Sequence, residues 1–271
     1  MITKSSNIYI PSDKVEEKFI KNIWRIDEFH LRETKETILP KGTVEIIFNL
    51  SDKIIYLNSA FNNMVNLPSC FVNGINSKPF NLIKSGPQLF LGIQLTAIGL
   101  KGLFNVSVKD FMDNVVDGSQ VCRSLYILCD KLFSKKTFDE QVEIIRKWLW
   151  NKISASKHYK TINRFHNIFY SQNSKNLSVA ELSNKNLMTD RHLRRIAVEW
   201  LGMNTESFLL YNKYLSSLQL LHNSNKTLTE IGLECGYFDQ SHFIREFKSY
   251  TELTPGEYKA FNSTLPGHIF S

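Results

Sequence analysis

Cysteine is scarce in this chain and badly spaced for chemistry: Cys70, Cys122, Cys129 and Cys235 are the only four among 271 residues, and no two form a C-x-x-C pair. That pattern excludes a disulfide framework and the usual thiolate metal sites, so the four read as reduced thiols. Cys122 and Cys129, seven apart in a helical pattern, could share a face as a redox pair, although a free cysteine is more often a small core residue. Histidine is equally sparse where a metal centre in the first half would need it. Only His30 precedes residue 150, whereas His158, His166, His192, His222, His242 and His268 follow it. No apolar run approaches the ~20 residues that cross a bilayer, and Met1–Ser6 lacks the apolar segment of a secretory leader. A soluble cytoplasmic protein with no membrane partner is expected. A Gly-rich phosphate loop, a serine elbow and an HExxH helix are all missing as well. The chain therefore reads as a non-enzyme, with no catalytic residue, metal or cofactor expected.

Positive charge is in surplus. A net charge of +7 and a pI near 9.1 suit a polyanionic partner. The surplus is spread out, however, because residues 156–271 hold 13 Lys and Arg against 10 Asp and Glu. Phosphate contacts need local potential, so charge alone identifies nothing. Spacing is more telling: the last third repeats itself at an offset of about fifty residues. Leu193, Arg195, Ala197, Gly202, Met203, Asn204 and Phe208 are echoed in order by Phe243, Arg245, Phe247, Glu252, Leu253, Thr254 and Tyr258. A short amphipathic stretch precedes each run, Val179–Leu182 in one copy and Leu228–Ile231 in the other.

Each copy predicts a helix, a turn and a second helix. In the second copy Phe243, Phe247 and Tyr250 fall on one helical face, while Gln240, Ser241, Ile244, Arg245 and Lys248 project from the other. Gly236 supplies a turn position suited to positive φ, and Asp239 is placed to cap the helix that follows. In the first copy Leu193, Ala197 and Trp200 form the inner row, Thr189 or Asp190 the cap, and Arg191, Arg194 and Arg195 the outer row. Arginine and glutamine carry planar donors that match guanine and adenine edges in a major groove.

The run Leu228-Thr229-Glu230-Ile231-Gly232-Leu233-Glu234-Cys235-Gly236-Tyr237-Phe238-Asp239-Gln240-Ser241-His242-Phe243-Ile244-Arg245-Glu246-Phe247-Lys248, followed by Leu253-Thr254-Pro255-Gly256-Glu257-Tyr258-Lys259, resembles the second DNA-binding signature of the AraC/XylS family of bacterial transcription regulators. Residues 177–210 resemble the first signature through Leu193, Arg195, Gly202-Met203 and Phe208. The chain departs from the family pattern at four places. Leu187 stands where a turn glycine is usual, Ala197 where a large aromatic is usual, Gly232 in place of alanine, and Glu252 in place of a helix-ending glycine. The resemblance implies two reading helices about one DNA turn apart, ~34 Å, entering successive major-groove segments. It further implies that Arg191, Arg194 and Arg195 read bases for the first unit and Gln240, Ser241 and Arg245 for the second, with Ile244 against a thymine methyl. Thr189, Lys213, the backbone N–H of Asp239, and Lys248 would lie at phosphates, which fix register without reading sequence.

From about Ile8 to Val106 the texture is β, with runs such as Val44–Phe48, Ile54–Leu57, Ser69–Val72 and Leu89–Leu95 separated by Pro, Gly, Asn and Asp. Val15–Trp24 reads as a helix feeding the first strand, and helices are expected over Val121–Phe133 and Phe138–Trp150. Pro40–Asn49, Gly74 and Leu91–Leu95 leading to Gly99 resemble the cupin-like sensory domain that precedes some AraC-type readers. The fold expected is therefore α+β: a cupin-like barrel over residues 1–106, a helical connector over 107–155, and a tandem helix-turn-helix domain over 156–271. The resemblance implies an effector inside the barrel, with Trp24, His30, Glu45 and Phe48 as pocket candidates. Taken singly, Trp24 and Phe48 also suit a plain core, His30 a turn, and Glu45 a solvated strand face.

Double-stranded DNA is the partner expected. RNA polymerase, a small-molecule effector and a second copy of the chain, docked through residues 121–150, are further candidates. The rival from another class is a protein-interaction scaffold whose first helix-turn-helix has degenerated, a reading that Leu187 and Ala197 keep open. Outward donors on both units argue against it, since a scaffold has no use for them. A DNA-repair alkyl-transfer role fails because no cysteine has the basic or histidine neighbours that activate a nucleophile, apart from Arg123 beside Cys122. Effector identity, target sequence and the choice between activator and repressor leave no mark in the sequence.

Overall fold

A computed structural model describes residues 3–51, 55–58, 63–170, 177–261 and 266–270. Its first part is a nine-stranded antiparallel sheet: β1 (Thr3–Tyr9), β2 (Ile20–Ile38), β3 (Val44–Asn49), β4 (Ile55–Asn58), β5 (Asn63–Asn66), β6 (Cys70–Asn73), β7 (Phe80–Leu95), β8 (Val115–Asp117) and β9 (His268–Phe270). The main path runs β1-β2-β7-β3-β6-β8. Closing a barrel requires the ladder to return to its first strand. Among the described residues β1 and β8 do not pair, so the sheet is open and the expected cupin-like barrel does not form.

The sheet curls because β2 and β7 each serve two sets of neighbours. The first half of β2 pairs with β1 and its last residues, Glu36–Ile38, with β9. Likewise β7 pairs with β4 over Asn81–Ile83 and with β3 over Phe90–Leu95. An irregularity between His30 and Thr34 separates the two halves of the β2–β7 ladder. The segment expected to be a helix, Val15–Trp24, holds only a 3-10 turn at Glu16–Lys18 before β2 begins.

Strand parity gives the sheet two unlike faces. Ile23, Ile46, Phe48, Val72, Leu91 and Ile93 point to one side and join a large core. That side is covered by α1 (Ala97–Phe104), α2 (Gly118–Val121), α3 (Ser124–Phe133) and α4 (Phe138–Ser154). The opposite side carries Trp24, Ile47, Phe71, Phe80, Leu82 and Phe90, a separate apolar cluster lining a cavity.

Seven helices follow: α5 (Tyr159–Phe169), α6 (Val179–Lys185), α7 (Asp190–Leu201), α8 (Thr205–Asn223), α9 (Leu228–Glu234), α10 (Gln240–Thr251) and α11 (Pro255–Ala260). The large core passes unbroken from the sheet through Leu100 and Leu149 to Trp200, Tyr214 and Phe243. Helix α8 is the keystone of this continuity. Tyr214 is fully buried and donates to the Pro40 carbonyl at 2.9 Å, while Tyr211 accepts from Gly42 N–H at 3.0 Å and donates to the Asn76 carbonyl at 2.7 Å. Gly42, at φ +64°, leaves the space that a Cβ would take from Leu215. No helix among the described residues is long and apolar enough to cross a membrane.

Candidate nucleic-acid interface and sheet cavity

The two helix pairs α6–α7 and α9–α10 are built alike, down to single hydrogen bonds. Each opens with a capping box, Ser178 with Glu181 and Thr227 with Glu230, in which the serine or threonine accepts from the glutamate N–H and the glutamate accepts in return. Hydrogen bonds from the cap backbone and hydroxyl hold Glu181 and Glu230 below the usual carboxylate range. Each first helix ends the same way. Met188 N–H reaches the Ser183 carbonyl at 3.0 Å, and Tyr237 N–H reaches that of Gly232 at 2.9 Å. This closure needs a left-handed residue just before it, Leu187 at φ +53° and Gly236 at φ +75°.

Each second helix is then capped by a side chain. Thr189 accepts from His192 N–H at 3.2 Å and Asp239 from His242 N–H at 2.6 Å, so Thr189 rather than Asp190 caps α7. Both second helices finish on a left-handed residue, Gly202 at φ +76° and Glu252 at φ +64°. Glycine and non-glycine are exchanged between the units: each has one glycine and one L-residue at its two left-handed positions.

The outer rows differ in how far their side chains are tethered. Arg191, Arg194, Arg195, Gln240, Ser241, Arg245 and Lys248 are all exposed, and Ile244 is half-buried. Arg194 donates through Nε to Glu206 at 2.8 Å, which ties it to the start of α8 and lowers the pKa of Glu206. Arg195 lies 4.0 Å from Glu199 and 3.3 Å from His192 Nδ1. Gln240 accepts from Thr229 at 2.8 Å, and Lys213 donates to the Gly236 carbonyl at 2.6 Å, bracing the second turn against α8. The inner rows follow the periodicity: Leu193, Ala197, Trp200, Phe243 and Phe247 are buried, and Tyr250 is half-buried.

The cavity encloses about 510 Å³. Register sets four polar side chains in one row across its floor, Asn22 on β2, Gln94 on β7, Glu45 on β3 and Asn73 on β6. Asn22 donates to Gln94 at 2.8 Å and Gln94 to Glu45 at 3.2 Å, leaving Asn22 Oδ1 buried without a partner among the described residues. The next row is apolar, with Trp24 lying across Gly92 where a Cβ would collide with the indole. A second polar cluster closes the far wall. Lys84 is 2.9 Å from Glu28 and 2.5 Å from Glu36, and Glu36 is 2.5 Å from His268.

Of the pocket candidates read from sequence, the structure brings Trp24 and Glu45 to the cavity wall. Phe48 lies on the opposite face of β3, buried in the helix-covered core, because its parity differs from that of Glu45 and Ile47. His30 is buried 3.2 Å from Glu28 and does not line the cavity. Sequence reasoning missed Glu28, Glu36, Lys84, Lys41 and His268. The even positions of β2 hold the clue for two of them, since Glu28 and Glu36 share parity with Asn22, Trp24, Ile26 and Ile38. The cysteines stay apart in role: Cys122 Sγ is 2.9 Å from Lys152 Nζ, whereas Cys129 is buried, its pKa pushed up to about 11 by desolvation.

The geometry of residues 178–260 defines a class, a tandem helix-turn-helix protein. Comparison with known proteins agrees with a helix-turn-helix over that stretch. Residues 182–260 match the family described as "Helix-turn-helix domain", and residues 7–117 match "Domain of unknown function (DUF6597)". An uncharacterized HTH-type transcriptional regulator of Haemophilus influenzae is 31% identical over 81 residues, 30% of this chain and 27% of that protein. The probable transcription factor PqrA of Proteus vulgaris is 25% identical over 100 residues, 36% of this chain and 81% of PqrA. A solved AraC-type transcriptional regulator from Chromobacterium violaceum is 26% identical, with a TM-score of 0.31, over 32% of this chain and 79% of that one. The match to the Haemophilus influenzae relative thus spans about a quarter of that protein's length. The chain thus carries matches to two families, a helix-turn-helix domain over residues 182–260 and a different family over the β-rich residues 7–117.

Proposed function

We propose that this chain is a sequence-specific DNA-binding transcription regulator, non-catalytic in itself, whose two helix-turn-helix units read successive major-groove segments and whose sheet cavity holds a controlling small molecule. The observation that carries the reading is the matched construction of the two units, which share capping boxes, left-handed turns and exposed polar rows on α7 and α10. Such duplication suits a ligand that itself repeats, as a duplex does each turn. Relatives named as transcriptional regulators support the same reading.

In this reading Arg191 and Arg195 on the first unit, and Gln240, Ser241 and Arg245 on the second, face base edges, with Ile244 against a thymine methyl. Arg194 joins them once Glu206 yields it. Thr189, Lys248 and the Asp239 N–H sit at phosphates, while Lys213 reaches a phosphate only by leaving the Gly236 carbonyl. Residues 1–106 form the sensor, 107–155 the connector and 156–271 the reader. RNA polymerase and a second copy of the chain, meeting through Ile127 and Phe133 exposed on α3, are the further partners.

Selection of binding sites from random duplexes at fixed salt is the test. A split motif with half-site centres about 10 base pairs apart is expected, whereas a single half-site would assign the first unit to a scaffold role. On the selected site Arg245→Ala should lose roughly 1–3 kcal/mol and relax one position, and Lys248→Ala should weaken all sequences alike and flatten the salt dependence. Uniform loss in both variants would overturn the division of roles.

A further inference from the structure

His268 completes the cavity wall, yet it belongs to β9, which follows the second reading unit. Its Nδ1 lies 2.5 Å from Glu36 Oε1 and its Nε2 3.3 Å from Lys41 Nζ. Burial, with Lys41 and Lys84 nearby, lowers the imidazole pKa against the opposing pull of Glu36, so the ring is neutral at pH 7. A neutral ring meets both partners at once, with Nδ1–H donating to the carboxylate and Nε2 accepting from the ammonium. Glu36 would still have Lys84 without it, but Lys41 would keep, among the described residues, only Glu45 at 3.9 Å. The cavity thus ends in a carboxylate and an ammonium whose complement is one flat, uncharged group bearing a donor and an acceptor.

The same wall is fastened to the second reading helix and not to the first. Gly267 N–H donates to Tyr258 Oη at 3.0 Å, and Tyr258 packs on Phe247 of α10 with ring centroids 5.9 Å apart. Beside Lys41, the Pro40 carbonyl accepts from Tyr214, which stacks on Tyr250 of α10 at 4.7 Å. Helix α7 meets the N-terminal part elsewhere, through Lys101 with Glu199 at 3.4 Å and through Gly202 against Met112. Neither contact lines the cavity.

Resting on the reading that the cavity holds an effector, we propose that its Glu36–Lys41 end is the recognition site for a neutral azole-type heterocycle with an apolar body, that this ligand takes the place of the His268 imidazole, and that its entry releases β9 from β2 and loosens the second reading unit. The volume falls in the range of small-molecule pockets, and Trp24, Phe71, Phe80 and Phe90 offer flat apolar walls for the body. A ligand acts on an equilibrium only by its different affinity for the two states. Here the difference is built in, because ligand and tail need the same two partners.

Benzimidazole and indole are matched probes, alike in shape, of which only the first has the acceptor nitrogen. Calorimetry should show benzimidazole binding the full chain and indole binding it at least about tenfold more weakly. Benzimidazole should speed hydrogen exchange of the amides from Gly267 to Phe270, and weaken binding at the half-site read by α10 about tenfold, since a loosened helix must be reordered on DNA. His268→Ala should show fast exchange in β9 without ligand and bind benzimidazole more tightly, and His268→Asn, which keeps a donor and an acceptor, should restore slow exchange. Equal action of the two probes, or a His268→Ala protein with β9 as protected as the parent, overturns the proposal. Failure of benzimidazole to saturate overturns the ligand class. A ligand found to fill the cavity and alter DNA binding while β9 stays protected would keep the effector reading and sink this one.

Discussion

Leu187 and Glu252 do at the level of one residue what glycine does at the matching places of the other unit. The left-handed region costs an L-residue roughly 1–2 kcal/mol, yet the closure of α6 and the end of α10 each require it. Leu187 is 96% exposed, so its side chain returns almost no packing for that strain. Leu187→Gly and Glu252→Gly should therefore each raise stability by about 0.5–1 kcal/mol, the relief of strain being partly offset by the freer unfolded chain. Thermal unfolding of the two variants checks this, and no gain from either would show the turns to be held by other contacts. The reverse change, Gly236→Val, places a branched residue at φ +75° beside Lys213 and should be destabilising. At Gly232 an added Cβ would rest 3.4 Å from Phe243, ordinary contact, so alanine there should be accepted. Leu187, Gly232 and Glu252 are thus local in effect: each leaves its helix-turn-helix intact and changes only how firmly it is held.

Among the elements, α8 has the most to lose from a small change. Tyr214→Phe leaves the ring stacked on Tyr250 but strips the buried Pro40 carbonyl of its donor. A loss of about 1–3 kcal/mol is expected, the cost of an unsatisfied buried acceptor, and denaturant titration reads it directly. The helices are legible in the sequence because their periodicity and caps are local: the helix expected over Phe138–Trp150 spans Phe138–Ser154. Strands β3 and β6 were legible for the same reason. The long strand β2 was not, because its inward positions carry Asn22, Glu28 and Glu36 among apolar residues, and a strand with charges on its buried face shows no clean alternation. Charge on that face is tolerated only because Lys84 and His268 come from β7 and β9 to meet it, and pairing at such range leaves no trace in local spacing. Barrel closure failed as an expectation on similar grounds. Which edges pair depends on the lengths of β2 and β7, and those lengths were hidden.

For the molecule as a whole, the unbroken core predicts a single unfolding event. Calorimetry should give one transition whose van't Hoff and calorimetric enthalpies agree, and two resolved transitions would show that the sheet and the reader stand independently. Stability should also fall on mild acidification. His268, facing Glu36, Lys41 and Lys84, and His166, beside Lys18 and Glu17, both have pKa values lowered by burial. Each binds a proton more readily when unfolded, so its contribution is whole above the unfolded pKa near 6.5 and is lost as pH drops below it. Melting temperatures measured from pH 7.5 down to about 5 should decline, and the decline should shrink in His268→Asn and again when His166→Asn is added. A flat profile would mean that neither ring is buried in solution.

Strand β9 pairs with β2 across an interval of 232 residues at the contact of Glu36 with His268. During synthesis the sheet therefore leaves the ribosome with one wall of its cavity still unmade, and that wall arrives only after both reading units have been translated. A nascent chain can begin to fold its sheet early, but the Glu36–Lys41 end of the cavity stays without its imidazole until both helix-turn-helix units have been made.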